Sequence, residues 1–273
     1  MIAIIAILAS LLLPALNAGK LKAQGVACLS NQRQINMSYR IHVDQDGGGR
    51  LDGQSIIDWY QQEMGRPELG WVCPSCGSGK DPRILAALAP TGPAGPVAYR
   101  GTIATVWLDP DWERDNGGDE PVNDQQNPRC GSYAVNIALI EAARSRRYPV
   151  LYQGYSTLDL PSGSAFITEG AVQHLAETPL LADGITWWVY PAAVDMPATN
   201  LYSPGDYQVG IGAMTIPRHV ERPTPVPRVW PSDQRLPGAV NVAFFDRHGT
   251  VVKLDALWQL SFTSRSSRTE THV

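Results

Sequence analysis

Residues Met1 to Leu16 read MIAIIAILASLLLPAL, and the fold turns on how this stretch is taken. It carries no charge, and only Ser10 and Pro14 interrupt its apolar run. As a helix rising about 1.5 Å per residue it covers about 24 Å, a little short of the roughly 20 apolar residues that cross a bilayer core. A secretory signal peptide would open on a basic segment and close on a small-residue cleavage site. No basic segment leads in, and Ala15-Leu16-Asn17-Ala18 is a poor site. A central core helix is the bland alternative, but so apolar an extreme N-terminus rarely packs centrally. The remaining reading is a segment resident in a membrane or in a bundle of like helices. Its contacts would come from Ile2, Ile4, Ile5, Ile7, Leu8, Leu11, Leu12, Leu13 and Leu16, with a kink at Pro14.

Beyond it the pattern changes. Leu21, Gly25, Cys28, Gln32, Ile35 and Tyr39 follow helical 4-3 spacing, while Ile35, Met37, Tyr39, Ile41 and Val43 alternate as in a strand. Asp46-Gly-Gly-Gly49 is a stop signal for a helix. A short helix is expected over Ser55–Met64 and another from Asp81-Pro82 to Ala89. Strands are expected over Val97–Leu108, Gly131–Leu139, Ala165–Thr168, Pro179–Ala182 and Ile185–Tyr190, the last two joined by a two-residue turn at Asp183-Gly184. Ala171–Glu177 is expected as a short helix. Pro191–Pro237 is proline-rich and irregular. Val240–Phe245 and Thr250–Leu254 make a hairpin, Asp255–Leu260 a helical turn, and 261–273 a flexible tail.

Charged residues are 18% of the chain, below the usual share of about 25%, and 25 Gly and 22 Pro favour a loop-rich body containing strands. The net charge of −4 comes without a basic block, so nucleic acid is not an expected partner. The eight tryptophans are expected mostly in the core or in subunit contacts, an exposed sugar-binding row being the sharper alternative. No His-Glu-x-x-His and no Gly-x-Ser-x-Gly occurs, and no enzyme is expected.

Three groups of residues are candidate sites. Cys28, Cys73, Cys76 and Cys130 would form disulfides outside the cytoplasm, most simply one involving the Cys73-Pro-Ser-Cys76 turn. Zinc is the lesser reading, because only one Cys-x-x-Cys is present. Asp109, Asp111, Glu113, Asp115 and Glu120 imitate the spacing of a calcium loop, although Arg114 stands where such loops place Gly. An acidic solvated loop is the plainer alternative there. Asp183, His219, Asp246 and His248 would gather either as metal ligands or as a hydrogen-bonded network pinning loops to a sheet, and the network is favoured.

The motifs carry a resemblance. Pro14-Ala-Leu-Asn-Ala-Gly-Lys20 and Cys28-Leu-Ser-Asn-Gln-Arg-Gln34 resemble the N-terminal segment of type IV pilins and type II secretion pseudopilins, most closely the large prepilin-like proteins of planctomycete and verrucomicrobial type. Thr178-Pro-Leu-Leu-Ala-Asp183, Arg218-His219 and Gly238-Ala-Val-Asn241-Val-Ala-Phe-Phe-Asp246-Arg-His248 resemble that family's closing motifs, with Arg247 in place of its Gly and an insertion, Val220–Pro237, before the last. The match covers roughly 1–45 and 178–260. The family's Phe-Thr-Leu-Ile-Glu opening is missing here, and Met1 falls where a Val is usual. We expect a reading frame begun late at a GTG codon, some eight family residues short, and N-terminal peptide mapping checks it.

The resemblance implies an α+β, pilin-like fold: a long N-terminal α-helix packed on an antiparallel β-sheet head with long loops. It decides residues 17–46 for helix. The expected domains are 1–46, membrane anchor and filament core; 47–260, head; and 261–273, tail. It implies a structural subunit that polymerises with itself, from the inner membrane to the cell surface, served by a prepilin peptidase and an inner-membrane assembly platform. A secretion pseudopilin is the alternative within the class. A membrane-tethered carbohydrate-binding or metal-dependent enzyme domain is the alternative outside it. The resemblance firmly implies no cofactor; it adds slight weight to calcium at the acidic loop, since some pseudopilins bind it in a loop.

Overall fold

The computed structural model describes residues 2–76, 91–92, 95–96, 100–109, 129–147, 165–192, 195–204, 210–231 and 233–263, the side chains of 2–9, 11, 91–92, 95–96 and 145–147 excepted. One helix dominates. α1, Ile2–Gln45, runs 44 residues through Pro14, about 66 Å at the usual rise. It ends where the glycines predict: Gly47, Gly48 and Gly49 all take positive φ, a conformation that costs a residue without Cβ little. Cys28, Gln32, Ile35, Asn36, Tyr39, Arg40 and Val43 are buried, on one helical face. Met37 and Ile41 are exposed, so the strand-like alternation was incidental to a helix. Leu21 is exposed as well, so the buried stripe starts one turn or more later than its spacing suggested.

α2, Gln54–Gln62, lies where a short helix was expected and packs against α1, with Trp59 edge-on to Tyr39 at 5.0 Å. Its first turn is held by Asp46, which accepts from the backbone N–H of Ser55 at 3.0 Å. The other described residues form a head whose strands are short. Thr91–Gly92 (β1) pairs with Gly95–Pro96 (β2), and Trp107–Asp109 (β3) with Arg129–Gly131 (β4). Tyr133–Asn136 (β5) precedes a 3-10 turn and α3, Glu141–Arg147. Pro179–Asp183 (β6), Trp188–Val189 (β7), Ala239–Phe244 (β8) and Gly249–Lys253 (β9) complete a five-stranded sheet in the order β7-β5-β6-β8-β9.

Several sequence expectations are corrected. The sheet is not wholly antiparallel, because β7 runs parallel to β5. Asp183-Gly184 is therefore no hairpin turn. Gly184 passes so close beneath Ala134 that a Cβ there would lie 2.6 Å from the alanine methyl, and Ile185 leaves the sheet to bond Ala213 and Gly101. Of Val97–Leu108, 97–99 lie outside the described residues, and only Trp107 onward forms a strand. Gly131–Leu139 is broken by the 3-10 turn at Ile137, capped by the Asn136 side chain accepting from Ala138 N at 3.2 Å. Ala165–Thr168 makes only a bridge, Arg50 to Thr168, and Ala171–Glu177 is turns after a 3-10 turn at Glu169–Ala171. The helix expected at 81–89 and tail residues 264–273 lie outside the described residues.

β8 shows how the layers form. It is buried along its whole length, which strands achieve only when both faces are covered. Asn241, Ala243 and Phe245 turn toward α1, while Val240, Val242 and Phe244 turn into a second core with Ile211, Met214, Ile216, Leu254 and Leu257. The irregular segment after Pro191 thus serves as the sheet's other layer. Its place is fixed by side chains: Asp195 accepts from Ile211 N at 2.8 Å and Ala192 N at 2.9 Å, and Trp258 Nε1 donates to Asp195 O at 2.9 Å. Among the described residues no helix is long and apolar enough to cross a membrane. Trp59, Trp71 and Trp107 are buried outright and Trp187, Trp188, Trp230 and Trp258 are half-buried, while Trp112 lies outside the described residues.

Candidate functional site

Where α1 crosses the sheet the contact is polar. Gln32 donates to Asn241 O at 3.2 Å, Asn36 to Phe244 O at 2.6 Å, and Arg33 to Gly249 O at 3.0 Å, while Asn241 Nδ2 donates to Gly25 O at 3.0 Å. These bonds hold the helix in one register on β8. One turn N-terminal of Gln32, Cys28 points into a buried group assembled from four distant segments. Cys73 comes from the turn after Trp71, Asp183 from the end of β6, and Arg218 and His219 from the loop that bridges back to Ala239 on β8.

The distances are short and convergent. His219 Nε2 lies 3.2 Å from Asp183 Oδ2 and 3.7 Å from Cys73 Sγ; Cys28 Sγ lies 3.5 Å from Asp183 Oδ1 and 3.2 Å from the Tyr133 hydroxyl. Asp183 also accepts from Asn241 N at 2.7 Å and Arg218 Nη1 at 3.3 Å, and Arg218 donates further to Ser132 O and Thr102 O. Burial pushes the Asp183 carboxyl up, but His219, Arg218 and the Asn241 N–H outweigh it and hold it below its ordinary range. Burial also opposes the charge on His219, yet the Asp183 carboxylate raises its pKa to about 9. Against the same desolvation, bonds from Cys28 and His219 bring the Cys73 thiol down to about 6. Burial leaves Cys28 well above the usual thiol range and Cys76 at about 11.

One chemical reading fails on geometry. A Cys-His-carboxylate relay needs the acid on the imidazole nitrogen opposite the thiol. Here thiol and carboxylate meet the same nitrogen, Nε2. Cys73 is also fully buried. The arrangement gathers donors around one point, as a ligand set does.

The sequence-based sites fare unequally. Of Asp183, His219, Asp246 and His248, only Asp183 and His219 come together; the motif residues Arg218 and Asn241 join them. Asp246 and His248 do not join them: they sit in the β8–β9 turn with half-exposed side chains, bonded to each other at 2.5 Å, with Asp246 accepting His248 N at 3.1 Å. The turn is solvent-facing, so Asp183 is beyond reach of His248, and neither the four-ligand reading nor a buried role for Asp246 holds. We expect Asp246→Ala to cost no more than about 1 kcal/mol in a urea melt, the scale of one exposed local hydrogen bond. A loss above about 2 kcal/mol would restore a structural role.

No disulfide joins any of the four cysteines, including the expected bridge at the Cys73/Cys76 turn. Cys73 turns toward Cys28 and His219, while Cys76 Sγ faces Thr105 O. Asp109 is buried in β3 beside Arg129 rather than in a solvated loop, and Asp111, Glu113, Asp115 and Glu120 lie outside the described residues. Cys28 was missed as a partner of Asp183, and Tyr133 as a partner of Cys28. No spacing in the sequence links them.

At the other end of α1 the described side chains from Leu12 to Leu16 are exposed. Leu12, Leu13 and Leu16 are 66%, 58% and 70% exposed, and Pro14 is exposed too. Ile2, Ile4, Ile5, Ile7, Leu8 and Leu11 belong to the same helix, their side chains outside the described set. Comparison with protein-family models, with curated proteins and with solved structures gives no match.

Proposed function

We propose that the chain is a structural subunit of a type IV pilus-like filament, polymerising through the N-terminal part of α1. The observation that carries this is the division of that helix. From Cys28 onward it is clamped into the head by apolar burial and by side-chain bonds to β8, whereas Leu12 to Leu16 stand exposed. Exposed leucines on successive turns are costly in water, at about 25 cal/mol per Å² of apolar surface. A membrane before assembly, and a bundle of like helices afterwards, would cover them. On this reading the subunit waits in the inner membrane, meets a prepilin peptidase and an assembly platform there, and ends on the cell surface. The same physics would serve a secretion pseudopilus.

Deleting residues 1–16 tests the division. The expected product is a soluble head that melts cooperatively and does not polymerise. Fibres that still form without the segment would refute the assignment. A truncated chain that fails to fold would show that the segment belongs to the head's core.

A further inference from the structure

We infer that Cys28, Cys73, Asp183 and His219 form a tetrahedral zinc site that fastens α1 to the head. It does not rest on the filament reading. One ligand atom from each lies within 4.8 Å of all the others, and all four residues are buried. A tetrahedron with Zn–S of about 2.3 Å and Zn–N or Zn–O of about 2.0–2.1 Å has S···N and S···O edges near ~3.5 Å and an N···O edge near ~3.3 Å. Two such edges are seen directly, 3.7 Å for Cys73 Sγ to His219 Nε2 and 3.2 Å for His219 Nε2 to Asp183 Oδ2, while Cys28 Sγ lies 3.5 Å from the other oxygen of the same carboxylate, Oδ1. A donor set with two thiolates and one imidazole favours zinc over calcium or magnesium, which take oxygen.

The surroundings suit an ion. Ligands of structural zinc are themselves oriented by outer hydrogen bonds. Ser75 N donates to Cys73 Sγ at 3.4 Å within the Cys-Pro-Ser-Cys turn, and the Ser132 hydroxyl takes the Cys73 N–H at 2.6 Å. Tyr133 stands beside Cys28 Sγ, and Asn241 N and Arg218 hold the Asp183 carboxylate. Two thiolates and a carboxylate would balance the dication together with the Arg218 guanidinium, leaving no net buried charge. Cys76 is not a ligand on this assignment, its thiol facing Thr105 O. The ion would join residue 28 of the helix to residues 73, 183 and 219 of the head.

The test uses the full chain in detergent, reduced and stripped of metal, then titrated with Co(II) and Zn(II). The expected result is one equivalent bound, with the intense visible bands of tetrahedral, thiolate-ligated cobalt, displaced by zinc. Cys28→Ser and His219→Gln should abolish those bands, and Cys76→Ser should keep them. Should either ligand variant misfold, the wild-type spectrum still decides, because only a thiolate-bearing tetrahedral site gives it. Three results would overturn the assignment: no binding by the reduced chain, an octahedral cobalt spectrum, or bands lost in Cys76→Ser and kept in Cys28→Ser. A Cys28–Cys73 disulfide in protein from cells, with no metal taken up after reduction, would also overturn it and assign the pair to a bridge.

Discussion

Asp183→Asn is expected to lower the unfolding free energy by about 3–5 kcal/mol, measured by urea melts at neutral pH with chelator present. The carboxylate is fully buried and faces two cationic side chains, Arg218 at 3.3 Å and His219 at 3.2 Å. An amide of the same size keeps the volume but leaves the Arg218 charge uncompensated in a site that water does not reach. For a margin of about 5–15 kcal/mol that loss is large. The sign with pH follows from the depressed carboxyl. Its stabilisation is present above the unfolded value of about 3.9 and is lost as pH falls through the lower folded value. The deficit of the variant should therefore close in acid. A neutral-pH loss under about 1 kcal/mol would mean that Ser132 O and Thr102 O alone suffice for Arg218.

Tyr39→Ala is expected to cost about 3–5 kcal/mol, and Tyr39→Phe only about 1–2. Tyr39 is the side chain on which α1, α2 and the sheet meet. Its ring lies edge-on to Trp59 at 5.0 Å and to Phe245 at 6.3 Å, and its hydroxyl donates to Leu139 O at 2.8 Å. Truncation opens a cavity at that junction and leaves a buried carbonyl without its donor. The phenylalanine variant keeps the ring contacts and loses only the bond. Equal losses for both variants would put the weight on the hydroxyl. A small loss for alanine would mean that the helix is held by its polar bonds to β8 alone.

What could be read in advance was local. The 4-3 spacing from Leu21 to Tyr39 included Cys28, Gln32, Ile35 and Tyr39 of the buried face but began too early and did not by itself decide helix against strand, whereas the glycines after Asp46 located the helix end. The β8–β9 hairpin was legible because two apolar strands flank a short polar turn. Asp183-Gly184 misled because the dipeptide that makes a hairpin turn also serves where a chain must slip beneath another strand, here under Ala134. Periodicity was blind to the outer layer, since residues 195–204 and 210–216 cover the sheet through Asp195 and isolated apolar contacts rather than a repeating face. Within the candidate site, Asp183 and His219 were grouped in advance, but with Asp246 and His248, which lie elsewhere, and Arg218 and Asn241 were noticed only as motif residues. Cys28 and Cys73 were noticed only as cysteines. Nothing in a linear reading says that the helix carries the first over the strand end that holds Asp183.

The filament proposal and the division of α1 meet in one measurement, cryo-EM of filaments isolated from the surface of the source cells, with the subunit identified by peptide sequencing. The account predicts this chain in those filaments, the segment containing Leu12, Leu13 and Leu16 packed at the axis against its copies, and the heads outward. Filaments in which heads alone make the contacts and those leucines face water would contradict it, as would filaments that lack this chain from cells that make it.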